Sequence, residues 1–185
     1  MKKSDLKLIT VDDIDPRSGI ETNILRMTMP PFVDEEVFGK GFHEYGGMFQ
    51  TREELFNFMM DKMIEYHGIG LSAPQMGLPF RMFVMGRKGF NHAFACFNPK
   101  ALSVSENREE ADESCLSIPG IKVLVDRADS VYVQYSDVTG KQVERMFTGI
   151  YARIFQHEMN HLHGILITDI GEARAEKRET TNTYR

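Results

Sequence analysis

Two cysteines in 185 residues are too few for a disulfide scaffold at this size, so Cys96 and Cys115 are expected to be reduced thiols. No apolar run approaches the roughly 18 residues that cross a bilayer. Lys2 and Lys3 are followed by no apolar segment, which predicts neither a signal peptide nor a transit peptide. Basic charge is not in excess: the net charge of −5 argues against a dedicated nucleic-acid binder. No repeat, low-complexity block or Pro/Gly/Ser linker divides the chain. The expectation is a cytoplasmic protein that meets neither membrane nor nucleic-acid substrate, built as one domain over residues 1–185. Its 42% of hydrophobic residues is enough for a core.

Residues 1–50 carry little pattern and predict loops and short elements. Thr51 and Glu54 have capping-box spacing and open a helix through about Tyr66. Leu55, Met59, Met63 and Tyr66, with Phe56, Met60 and Ile64 beside them, predict a broad buried face, and Gly68 a stop. Strands are predicted at 81–85, 93–97, 121–125, 130–135 and 142–147, with Asp137 to Gly140 as a hairpin turn. A second helix runs from about Gly149 to His161. The polar tail, about 171–185, reads as a frayed helix or disorder. This order predicts an α+β fold, with antiparallel β-strands packed around the second helix, rather than alternating βαβ units.

That second helix carries His157-Glu158-Met159-Asn160-His161. Residues four apart share a helix face, so both imidazoles can bind one metal ion. Glu158, beside the first ligand, can take a proton from a bound water and return it to a leaving amine. A structural histidine pair is the bland alternative. A catalytic site needs a third protein ligand and one position open to water. Cys115, among short polar residues before a strand, is the natural candidate, although a lone cysteine is more often a small buried hydrophobe. Cys96, in an apolar strand, fits that plainer role. A third segment, residues 67–75 (HGIGLSAPQ), has two glycines that let a backbone approach a ligand and ends on the amide of Gln75. It lacks the GK[ST] of a phosphate loop.

Together, GIGLSAPQ (68–75), ESCLS (113–117) and HEMNH (157–161) resemble the peptide deformylase family, marked in the same order by GxGLAAPQ, EGCLS and HExDH. The resemblance covers about residues 20–168. It implies a metal-dependent hydrolase that removes the formyl group from the N-terminal formyl-methionine of nascent polypeptides. Cys115, His157 and His161 would hold one divalent ion, Fe²⁺ first, with Ni²⁺, Co²⁺ or Zn²⁺ able to replace it. Glu158 would be the general base and then acid. The Gln75 amide and the backbone N–H of Leu116 would stabilise the oxyanion, and Gly70 would bind the substrate backbone. Ile69, Ile150, Arg153 and Ile154 would surround the methionine side chain, and Glu113 would pair with Arg127 to brace the Cys115 segment. Partners would be N-formyl-Met peptides, met in transient contact with the ribosome by a monomer.

Three positions depart from the family's commonest pattern. Ser72 replaces Ala and adds a hydroxyl that needs a partner. Ser114 replaces Gly, which would cost about 1 kcal/mol if that backbone required positive φ. Asn160 replaces Asp, keeping the shape and losing the charge. Residues 172–179 form only a short charged stretch where many bacterial relatives continue into a long helix linked to ribosome binding. Two rivals remain. A zincin-like peptidase shares HExxH, but its third ligand commonly lies downstream, whereas Cys115 lies 157 − 115 = 42 positions upstream. A peptide-binding relative without turnover would keep the fold and release no formate.

Overall fold

The computed structural model describes residues 2–13, 24–32, 48–86 and 92–175. Its elements are α1 (Arg52–Glu65), β1 (Gly70–Ser72), a 3₁₀ turn (Ala73–Met76), β2 (Met82–Met85), β3 (Phe94–Val104), β4 (Arg108–Cys115), β5 (Ile118–Ala128), β6 (Ser130–Ser136), β7 (Gln142–Thr148), α2 (Gly149–Leu162) and β8 (Glu172–Ala175). Within residues 1–50 the described parts hold short 3₁₀ turns and one isolated bridge from Thr28 to His163, in keeping with the loops and short elements expected. All strand pairs are antiparallel. They form a five-stranded sheet, β1-β2-β3-β6-β7, and a three-stranded sheet, β4-β5-β8.

The predicted α+β class is observed, with α2 packed against β1, β2, β5, β6 and β7. The reason is clearest at β2. Met82 and Val84 join the core shared with α1, while Phe83 and Met85 join the core shared with α2. A strand covered by a helix on each face must be apolar at every position. On β6, covered on one face, Val131, Val133 and Tyr135 point inward and alternate with more exposed neighbours. A third cluster, with Ile118, Val123, Val125 and Leu166, lies under the small sheet and includes Cys115.

Helix α1 starts as predicted: Thr51 Oγ1 accepts the Glu54 N–H at 3.1 Å. The Glu54 carboxylate reaches the N–H of Gln50 at 2.7 Å rather than that of Thr51. Leu55, Met59 and Met63 are buried, but Ile64 is 45% exposed and leaves the predicted face. The stop also differs. The left-handed position falls on His67 (φ 59°), with His67 N–H donating to Ile64 O and Gly68 N–H to Met63 O, so Gly68 follows the turn rather than making it.

The predicted strand at 93–97 runs on to Val104, because Asn98 turns left-handed (φ 50°) at a register shift and pairing with β6 then resumes. The hairpin at Asp137 is present: its Oδ1 accepts the N–H of Thr139 at 2.8 Å and that of Lys141 at 3.1 Å. The expectation of a frayed helix or disorder after Gly171 is corrected over its first part. Glu172–Ala175 forms β8 against Ile121 to Leu124 of β5, where the neighbouring strand supplies the hydrogen bonds that a short polar segment cannot supply itself. The rest of that tail lies outside the described residues.

Candidate active site

Strand β4 ends at Cys115, and the turn Leu116-Ser117 leads into β5. This hairpin lies against the face of α2 that carries Arg153, His157 and His161, each four residues from the next. The Cys115 thiol and one ring nitrogen from each of His157 and His161 lie within 4.8 Å of one another. Cys115 Sγ and His161 Nε2 are 3.3 Å apart. His157 Nδ1–H donates to Glu113 Oε2 at 2.9 Å, which fixes the ring and leaves Nε2 for the cluster.

Burial sets the protonation of these groups. It pushes the His161 imidazole well below its usual pKa, with the neighbouring His157 and Arg127 acting in the same direction, so the ring is neutral, as a metal ligand would have to be. It pushes the Cys115 thiol up to about 12 despite backbone hydrogen bonds from Ser117 and Ile118, so a cation binding there would displace the thiol proton. It also pushes the Glu158 carboxyl well above the carboxylate range, against the attraction of Arg127. Glu158 Oε2 is buried, with no hydrogen-bond partner among the described residues. One thiol and two imidazoles fit a divalent ion of intermediate softness.

Glu113 behaves oppositely. Burial alone would raise its pKa, but hydrogen bonds from Arg127 and His157 hold it down at about 2. Arg127 approaches it through two nitrogens, at 2.6 and 2.8 Å, and Arg153 Nη1 adds a third contact at 2.9 Å. The expected Glu113–Arg127 pair is therefore present, and buried. Arg127 Nη1 also donates to Asn160 Oδ1 at 2.7 Å, so the asparagine keeps a polar contact to this network without the charge. Arg153 reaches the carbonyls of Val125 (3.0 Å) and Glu109 (2.6 Å) as well, so its guanidinium braces β4 and β5 and only its stem is left for the cleft. Sequence reasoning missed this use of Arg153.

A cleft of about 440 Å³ opens over the cluster. Ile69, Gly70, Gln75, Cys115, Leu116, Ile150, Arg153, Ile154, His157 and Glu158 all line it, while His161 sits behind, 2% exposed. Gly70 must be glycine: a Cβ there would lie 2.3 Å from Glu158 Oε1 and 2.8 Å from Ile154 Cγ2. Ser72 finds its partner in Gln75, whose Oε1 accepts the Ser72 hydroxyl at 3.0 Å and the Ser72 N–H at 2.9 Å. Ser114 carries no backbone penalty, since among the described residues only His67 and Asn98 combine a side chain with positive φ. Ser117, given no role from the sequence, is buried with its Oγ 3.2 Å from Gln75 Nε2, and its place inside ESCLS was the available signal. Ile118 and Ile121 of β5 also face the cleft; Ile121 was read only as part of a strand, and Ile118 was given no role.

A buried carboxyl beside a thiol and two imidazoles, under an open cleft, is an arrangement that suits a metal-dependent amide hydrolase. Residues 34–177 match the family model described as polypeptide deformylase. The peptide deformylase of Thermotoga petrophila is 41% identical over 117 residues, covering 63% of this chain and 70% of the relative. That of Thermotoga neapolitana is 45% identical over 111 residues, 60% and 66% of the two chains. The crystal structure of peptide deformylase from Thermotoga maritima superposes with a TM-score of 0.71 at 32% identity, over 89% of this chain and 96% of that one. The Acinetobacter baumannii enzyme bound to Met-Ala-Ser gives 0.71 at 28% identity, over 89% and 97%. The chain belongs to the polypeptide deformylase family, and its reaction is the family's hydrolysis of an N-terminal formyl amide.

Proposed function

We propose that the cleft performs this deformylation on N-formyl-methionyl peptides, with Cys115, His157 and His161 holding one Fe²⁺ that Ni²⁺, Co²⁺ or Zn²⁺ can replace. The observation that carries the reading is the convergence of one thiol and two imidazole nitrogens within 4.8 Å beside the buried Glu158 carboxyl. When bound, the ion supplies Lewis acidity and a nucleophilic water at neutral pH. Glu158 takes the proton that the attacking water loses as its oxygen bonds to the formyl carbon. It then passes that proton to the amide nitrogen as the C–N bond breaks, leaving formate and a free amine. Burial suits the second role, because a raised pKa favours holding the proton until the amide nitrogen takes it.

Gln75 Nε2 and the Leu116 N–H supply hydrogen bonds to the oxyanion, one such donor typically contributing about 3–4 kcal/mol. The formylated residue enters where Ile69, Ile150, Ile154 and the Arg153 stem form an apolar wall. The substrate backbone extends between the edge strands β1 and β4, with Gly70 as a hydrogen-bonding position. That the Acinetobacter relative binds Met-Ala-Ser supports a peptide of this kind. The whole chain acts as one monomeric catalytic unit that meets nascent peptides in the cytoplasm, in transient contact with the ribosome.

The experiment is formate release from formyl-Met-Ala-Ser by anaerobically prepared, iron-loaded protein beside Glu158→Ala. Release by the wild type, lost in a variant that still holds metal, supports deformylation and the role of Glu158. An inert but metal-replete wild type would put the peptide-binding alternative in its place.

A further inference from the structure

A primary amide has a donor end and an acceptor end, and only one of its two orientations aims Nε2 at the reacting group. The turn Ala73–Met76 returns Gln75 over the end of β1, where Ser72 meets its Oε1 with two donors: the N–H at 2.9 Å and the hydroxyl at 3.0 Å. Nε2 then faces the other way, 3.8 Å from Cys115 Sγ and 3.2 Å from Ser117 Oγ. Ser72 is 0% and Gln75 1% exposed, so water does not compete for these bonds. Turning the amide over would set Nε2 against the Ser72 N–H, donor against donor, and would cost the hydroxyl its acceptor in a dry site.

We propose that Ser72 is a positioning residue for deformylation, its hydroxyl joining its backbone N–H to lock the Gln75 amide with Nε2 toward the formyl oxygen. This rests on the reading of Gln75 as an oxyanion donor. The backbone N–H alone can orient the amide where alanine occupies this position, but one bond leaves the side chain free to rock about its last torsion. The second donor removes that freedom, and it also withdraws electron density through the amide, which strengthens Nε2–H as a donor.

The test is a double-mutant cycle on the full-length, metal-replete protein: wild type, Ser72→Ala, Gln75→Ala and the double variant, with kcat and KM for formyl-Met-Ala-Ser and bound metal measured for each. Loss of one hydrogen bond to the donor predicts a fall in kcat of about 3- to 10-fold in Ser72→Ala. KM should stay within about twofold, since the oxyanion forms only in the transition state. In the Gln75→Ala background, removing the Ser72 hydroxyl should have no further effect on kcat. An equal fall in both backgrounds would mean that Ser72 only supports the fold, and unchanged kcat in Ser72→Ala would overturn the proposal while leaving Gln75 in place. Wild-type kcat in Gln75→Ala would remove the donor role itself, and the proposal with it.

Discussion

Replacing Glu113 by alanine tests the network that holds the site together. Its carboxylate, with 6% of the side chain exposed, receives two bonds from Arg127, one from Arg153 and one from His157. Without it, His157 Nδ1 loses its acceptor, and Arg127, itself 5% exposed, keeps only Asn160 from this set. Removing one partner of a buried ion pair costs about 3–5 kcal/mol. The low end applies, because Asn160 Oδ1 still serves Arg127 and two backbone carbonyls still serve Arg153. For a chain of this length, about 3 kcal/mol lowers Tm by roughly 6–12 °C. Loss of the group orienting a ligand histidine should also weaken metal binding by about 10- to 100-fold. Thermal unfolding followed by circular dichroism measures the first effect, and competition with a chelator the second. Glu113→Gln, which keeps the shape but not the charge, should fall between wild type and alanine in both. A Glu113→Ala protein that melts within a degree of wild type and retains metal equally well would refute the bracing role.

His67→Gly should stabilise the fold by about 0.5–1 kcal/mol, since relief of the left-handed backbone at φ 59° exceeds the added freedom of the unfolded chain; a lower Tm than wild type would contradict this. Gly70→Ala places a Cβ 2.3 Å from Glu158 Oε1 and should lower kcat/KM by roughly 100-fold at unchanged metal content, measured by formate release. Asn160→Asp restores a charge-assisted bond to Arg127 at a half-buried position and should raise the urea midpoint by an amount equivalent to about 1 kcal/mol. No change in that midpoint would show that the charge is already balanced by Glu113.

What the sequence determined by itself is what lies within one or two helical turns or one short turn. The α2 helix and the shared face of His157 and His161 follow from a spacing of four, the start of α1 from Thr51, and the Asp137 hairpin from its turn residues. The three motifs together led to the family before any contact was known. Tertiary structure decided the rest. Strand β4 reads as REEADESC, with no apolar alternation, because most of its side chains face solvent; it is a strand only because β5 pairs with it along its length. Strand β8 exists for the same reason. Asn98 and Pro99 look like the end of β3, yet β6 carries the strand past them. Arg153 stands on the cleft-facing side of α2 as expected, but its guanidinium turns to Glu113, forty residues away in sequence. No local pattern specifies such a pairing, because a long flexible side chain goes where buried charge most needs a partner, and only the folded chain sets that place. The Gln75 amide shows the same division at the smallest scale: its presence was legible three residues after Ser72, whereas which end faces the metal site depends on the donors that meet it in the dry interior.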